Sequence, residues 1–559
     1  MIDFQRYLLI ASIAALSLML LVEWQKFEPA TPVITSTSSS NNNSTTAAPT
    51  TSNDSGDLPA IIGSDEFTTI KANAGVSTKY ITVETDVLDL KIDLHGGDIV
   101  YAGLPDYTMS LESDDPFVIL EKNDTRNYIA QSGLIGSNAT DTSEGRPQFA
   151  APNANYVLQD GSDTLNVDLR YQYSDAITII KRFSLSRGEY LISVEYLVDN
   201  QSDAPFQASF FGQLKRGDSV DPSVNDEGGM FAMKPFIGVA YATNEDLYNK
   251  TTFSKMQDKP IKASVNGGWI GIIQHYFVSA WVPPVDSVNE LSTIVTKQGM
   301  NIARVTSAAV TIEPRSQGKI SADFYTGPKD QYSLQEISPG LELTVDYGWL
   351  WWIAQPLFWL LTKIHSVLGN WGFSIIAVTI LVKAAFFQLN QKAFTSMANM
   401  RKFQPKLAEI KERYTDDRQK QSQAMMELYK KEKINPLGGC LPMVVQMPVF
   451  IALYWVLMES IELRHAPFML WIHDLSAMDP YFVLPLIMGL SMFIQQRLNP
   501  APPDPMQAKI MQWMPIVFTF FFLFFPAGLV LYWVVNNTLS IIQQYIITKR
   551  IEKSGLPSR

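Results

Sequence analysis

Five apolar segments follow one another near the end of this 559-residue chain, at residues 371–388, 437–458, 481–495, 511–525 and 527–547. Segments of this length and apolarity read as membrane-crossing helices. Pro526 and Gly528 mark a tight turn between the last two. A sixth apolar run, residues 7–22, lies behind Arg6. It reads as a signal peptide or a retained anchor. The charged, bulky stretch EWQKFEPA that follows offers no small-residue cleavage site, which favours an anchor over residues 1–24.

Loop charges orient these segments. Residues 389–434 carry 11 Lys and Arg, whereas residues 459–480 carry only Arg464. By the positive-inside rule the 389–434 loop and both termini are expected in the cytoplasm. The basic tail at 548–559 agrees, with Lys549, Arg550, Lys553 and Arg559. Net charge divides the same way: residues 7–347 hold 42 acids and 23 bases, and residues 348–559 hold 12 acids and 20 bases. An acidic half of this kind argues against nucleic-acid binding there. The only cysteine is Cys440, so no intrachain disulfide can form.

Between the anchor and the apolar half, residues 25–59 are rich in Ser, Thr and Asn and read as a flexible linker. Residues 60–345 read as β structure. Leu88, Leu90, Ile92 and Leu94 alternate with charged residues before a Gly96-Gly97 turn, and Ile192, Val194, Tyr196 and Val198 repeat the pattern. Further strand-like runs lie near 165–184, 206–214, 302–313 and 319–326. So many strands predict a large antiparallel sandwich, with a spacer or binding domain as its plainest role. Residues 348–368 carry four tryptophans and Pro356, which is expected to break the segment. Such a stretch suits an amphipathic helix in the membrane interface, with a true span as the alternative.

Lys383 is the one charge inside a predicted span. A lysine at mid-membrane costs roughly 2.5–3.5 kcal/mol on insertion scales. It either snorkels to the headgroups or faces a polar partner or water. Thr379 lies one helical turn away on the same face. Gln446, beside Pro448, sits in the middle of the next span, Thr519 lies in the fourth, and the last carries Tyr532, Trp533, Asn536, Asn537, Thr538, Gln543 and Gln544. Polar groups facing lipid are costly, so the economical arrangement turns them inward around one hydrated space. Plain helix–helix hydrogen bonding is the alternative. The loop 392–433 reads as a helical hairpin with arms at 392–414 and 418–433, turning at residues 415–417. Its basic residues include Arg401 and Lys402, and its Met397, Met400, Met425 and Met426 suit adaptable apolar contacts as well as packing of the two arms.

Absent motifs narrow the function. The chain has no phosphate loop, no GxSxG elbow and no metal-type His or Cys cluster. Nucleotide hydrolysis, metal and cofactor are therefore not expected. A solute transporter would be expected to show repeat symmetry between spans, and none is visible. An anchored carbohydrate-processing enzyme would need acid/base pairs in the sandwich, and His95 and His275 sit in no such pattern.

Five stretches carry a family resemblance: GNWGFSII from Gly369, NPLGGCLPMVVQMPVFIALYW from Asn435, LRHAPFMLWIHDLSAMDPYFVLP from Leu463, DPMQAKIMQWMP from Asp504, and FPAGLVLYWVVNN from Phe525. Residues 348–555 resemble the YidC/Oxa family of membrane protein insertases, in the Gram-negative form with a large periplasmic domain. The resemblance implies an α-helical membrane core, formed by a five-helix insertase core at 371–547 plus the N-terminal anchor helix. It also implies an antiparallel β-supersandwich outside the membrane, similar to galactose mutarotases. It further implies a hydrophilic groove that receives nascent membrane proteins, alone or beside a Sec-type translocon, with the ribosome and the lipid bilayer as further partners. The positive residue of that groove matches Lys383 here, and Thr379, Gln446, Thr519, Tyr532, Trp533 and Asn536, polar residues of the spans, are expected to line it with Lys383. The family pattern has arginine where this chain has Lys383, and proline where it has Gln388, so the bidentate fork of arginine is missing.

Overall fold

In a computed structural model, the described residues are 79–142, 145–222, 235–415, 417–432, 441–499 and 505–553. The expected anchor at 1–24 and linker at 25–59 lie outside them.

The strand alternation seen in the sequence is kept in space. Strand Leu191–Asn200 buries every second side chain, Ile192, Val194, Tyr196 and Val198 among them. It pairs antiparallel with Ile177–Ser186 on one side and Ser316–Pro328 on the other. These belong to an eight-stranded sheet that faces an eleven-stranded one. Both are antiparallel throughout, apart from one short parallel pairing of Tyr80–Glu84 with Asn155–Val157. Gly96 and Gly97 make the expected turn with φ of +80° and +66°, which a side chain rarely tolerates. Phe183, Val194, Tyr196, Phe210, Trp281 and Phe324 fill the space between the sheets. Gly212 is required there, because a Cβ would lie 2.6 Å from the Trp281 ring.

A short helix, Gln331–Ile337, leads from the sandwich to the helical half. The first long helix, α1 (Trp351–Leu368), runs through Pro356 without breaking, contrary to expectation. The proline lies in the second turn, where it costs a single backbone bond. Ala354, Leu357, Phe358 and Leu361 pack inward, while Trp349, Trp351, Trp352 and Trp359 stay exposed. Helix α2 (Trp371–Ala385) is capped by Asn370, whose side chain accepts from the Phe373 N–H at 3.1 Å. It ends three residues short of the predicted 388 and bends 68° into α3 (Phe387–Lys402). The hairpin's first arm is broken again at Phe403, since α4 (Gln404–Arg413) has Pro405 in its first turn. Asp417 caps α5 (Arg418–Lys431) through the backbone N–H groups of Gln419 and Lys420.

The remaining helices are α6 (Leu441–Glu459), α7 (Val483–Leu498), α8 (Pro505–Phe522) and α9 (Ala527–Lys553). Asp479 starts α7 by accepting from the backbone N–H of Leu484 at 2.6 Å and from the Trp471 indole at 3.0 Å. Pro526 makes the turn into α9, pinned by bonds from the N–H groups of Ala527 and Gly528 to the Ala477 and Leu475 carbonyls. Among the described residues no single helix is long and apolar enough to cross a membrane, although the bent pair α2–α3 passes that test. The reason is visible in the sequence. Helix α9 has 27 residues but is diluted by its amides, and α2 has only 15.

Sandwich and helices meet at the outer end of α6. Lys329 forms a buried ion pair with Glu459 at 2.8 Å. His275 Nε2 bonds the Met458 carbonyl at 2.8 Å. Arg464 donates to the Thr108 carbonyl at 2.6 Å and lies over the Phe117 ring.

Candidate functional site

Lys383 sits in the last turn of α2 and is 8% exposed. Its ammonium points between helices rather than toward a surface, donating to Ser540 Oγ on α9 at 2.7 Å and Gln446 Oε1 on α6 at 3.3 Å. Gln446 in turn donates to Tyr532 OH at 3.3 Å and to Asn536 Oδ1. Tyr532, Asn536 and Ser540 are spaced by four residues, so α9 presents them as one polar stripe.

This network borders a cavity of about 230 Å³. Lys383, Gln446, Tyr532, Trp533 and Asn536 all line it. So does Met397, the one hairpin methionine that α3 carries inward. Met400, Met425 and Met426 are half-buried elsewhere on α3 and α5. The side chains of Arg401 and Lys402 lie outside the described residues.

Two expected lining residues are corrected. Thr379 is 1% exposed and donates to the Ile375 carbonyl at 2.6 Å. Thr519 donates to the Pro515 carbonyl at 2.6 Å and packs on Gly489, where a Cβ would lie 2.0 Å from its hydroxyl oxygen. Neither borders the cavity. A threonine inside a helix satisfies its own hydroxyl on the carbonyl four residues back, so its polarity does not demand water.

Other lining residues escaped sequence reasoning: Ser540, Asn390, Asn499, Gln495 and Gln496, with Met492, Met511 and Met514. Ser540 was findable from the four-residue stripe. Asn390 was not, because it comes inward only through the bend after Ala385.

The two ends of the cavity differ. Toward the sandwich, aromatic rings pack beside it. Phe450 packs edge-on to Trp533 at 4.7 Å, Phe522 lies 5.3 Å from Trp533, and Tyr454 lies 5.4 Å from Phe525. The opposite end is lined by Asn390 and by the amides at the end of α7. Lys383 is the only charged residue among the described lining residues. The bundle's outside is clad in exposed apolar side chains such as Leu486, Leu490, Ile516, Phe520 and Ile542.

Comparison with known proteins places the chain. Residues 80–360 match the family described as the YidC periplasmic domain, and residues 363–554 match that of the 60Kd inner membrane protein. The membrane protein insertase YidC of Stutzerimonas stutzeri (strain A1501) is 50% identical over the full length of both chains. That of Cellvibrio japonicus (strain Ueda107) is 50% identical over 99% of each. A solved active YidC insertase structure with its first transmembrane domain resolved aligns over 84% of this chain and 93% of that one. It does so at 18% identity and a TM-score of 0.38, a likeness too loose to carry an argument. Sandwich and helical half thus match the two halves of one kind of protein, and the chain belongs to the YidC family of membrane protein insertases, inner-membrane proteins that are not enzymes.

Proposed function

We propose that the cavity around Lys383 is the groove in which this insertase receives the polar tail of a nascent membrane protein. The observation that carries the reading is a polar, singly charged hollow inside a bundle whose outer surface is apolar. A tail entering it would exchange bulk water for fixed polar groups instead of hydrocarbon. The aromatic end keeps the hollow from becoming a continuous aqueous pore. Burial of the substrate's apolar segment in lipid then supplies the driving energy, about 25 cal/mol for each Å² removed from water. No nucleotide is needed for this.

Helix length supports the same reading. The 15 residues of α2 rise about 22 Å, against a hydrocarbon core of about 30 Å. Short helices thin the bilayer around them, which shortens the distance a tail must cross. The loop charges support a multi-pass topology with the hairpin and both termini in the cytoplasm and the sandwich outside. Helix α1, with three exposed tryptophans and Trp349 just ahead of it, lies in the outer interface. In this topology the cavity's open end faces the hairpin, where a ribosome or a Sec-type translocon would deliver a substrate.

The test is Lys383→Glu in reconstituted vesicles. Insertion of a single-span substrate with an acidic tail should fall severalfold, with less effect on a basic-tailed one. Unchanged rates for both would refute the electrostatic role.

A further inference from the structure

Apart from one amine, the polar lining of the cavity is dominated by carboxamides. Gln446 bonds Asn536, and Asn537 donates to Ser491 Oγ at 3.0 Å. The side chains of Asn390, Gln495 and Gln496 border the same space and make no hydrogen bond among the described residues, and Asn390 is only 3% exposed. The indole N–H of Trp533 is likewise buried without a partner. No carboxylate occurs among the described lining residues.

A site built for anionic side chains alone would need donors only. Lys383 and Trp533 supply those, since neither has an acceptor. The carboxamides add acceptors in equal measure, and an acceptor is of no use to a carboxylate. It is of use to a peptide N–H. Each residue of an extended tail brings one N–H and one C=O, and each of these costs several kcal/mol if left bare in hydrocarbon. Over several residues that sum exceeds the roughly 2.5–3.5 kcal/mol of one charge on insertion scales.

We infer that the cavity recognises the peptide backbone of an extended, unpaired tail, so that its substrate class is set by free backbone amides more than by the sequence of the tail. This rests on the cavity being the substrate site. It assigns Asn390, Gln495 and Gln496 as the groups that accept and donate to the tail, with Lys383 restricted to its carbonyls and carboxylates.

The test uses the full chain in liposomes and a synthetic peptide with one apolar span and a neutral Gly/Ser tail. A second peptide carries ester linkages in place of alternate tail amides, which removes N–H donors and leaves the side chains unchanged. The quantity read is the ratio of tail translocation with and without protein. The inference expects that ratio to be severalfold lower for the ester tail. Asn390→Leu and Gln496→Leu should lower it more for the amide tail than for the ester tail, which keeps its carbonyls and half its N–H groups, while Lys383→Gln should preserve the gap between the two tails. Comparing the two tails on unaltered protein needs no variant to fold. Equal acceleration of both tails would overturn the inference. No acceleration of the unmodified tail would overturn the groove itself.

Discussion

Lys181 in the sandwich and Lys383 in the helical core are both buried, at 0% and 8% exposure, yet their surroundings are opposite. Lys181 donates to the Gly96, Gly97 and Ser132 carbonyls at 2.8–3.1 Å, using all three of its N–H groups. Beside it Arg146 binds both Asp98 and Asp141. Burial pushes the Lys181 amine down to about 7, against the pull of Asp98. No space remains: a Cβ on Gly97 would lie 2.9 Å from the lysine stem. Lys383 has two neutral side-chain partners, no carboxylate and a cavity next to it. The first cation is fixed into the fold, and the second is left short of partners beside a space that a ligand can enter. Burial alone therefore does not mark a functional lysine, whereas burial with unfilled valences does.

The same substitution at both sites separates these roles most sharply. Lys181→Met should destabilise the sandwich by about 3 kcal/mol, since carbonyls lose a donor they cannot replace. Thermal unfolding of the solubilised full chain, followed by its β signal, measures this. Lys383→Met should change stability by less than about 1 kcal/mol, because a desolvated cation is removed along with its bonds. Insertion of an acidic-tailed substrate should nevertheless fall about tenfold, the effect of losing one charge-assisted bond of about 1.5 kcal/mol.

The junction between the two regions gives a smaller, pH-dependent effect. Burial pushes the Glu462 carboxyl up to about 7, with nearby Asp330 adding to it. The folded protein therefore holds this proton more tightly than the unfolded chain does. Its contribution to stability is present below about 4.5, fades as pH rises toward 7, and is flat above that. Protection factors for hydrogen exchange at residues 459–465, corrected for the intrinsic base-catalysed rise, should fall between pH 5 and 7.5, and Glu462→Gln should remove that fall. The smallest effect is expected at Thr379→Val, which removes only a hydroxyl bonded to its own helix. Insertion rates and melting temperature should stay within error.

Much of the architecture was legible because it rests on periodicity. The alternation at 192–198 reappears as a strand burying every second residue, and Asn370 and Asp417 start helices where the pattern changes. The charged and amide centre of the site was legible too, since Lys383, Gln446 and Asn536 are costly anywhere but against one another. What was not legible depended on geometry. Thr379 and Thr519 were overread because a hydroxyl can satisfy itself inside its own helix. Asn390 was missed because nothing in the sequence announces the 68° bend that brings it inward. Pro356 signalled a break that did not occur, because a proline this near a helix start costs little.

The most direct test is water access along the cavity. In a Cys440→Ser background, Asn390→Cys, Asn536→Cys, Ser540→Cys and Thr379→Cys would each be exposed to a membrane-impermeant thiol reagent applied from the hairpin side of the bilayer. Labelling at 390, 536 and 540 with protection at 379 is the predicted outcome. Protection at all four positions would contradict the account, leaving Lys383 and its amides as dry contacts between helices.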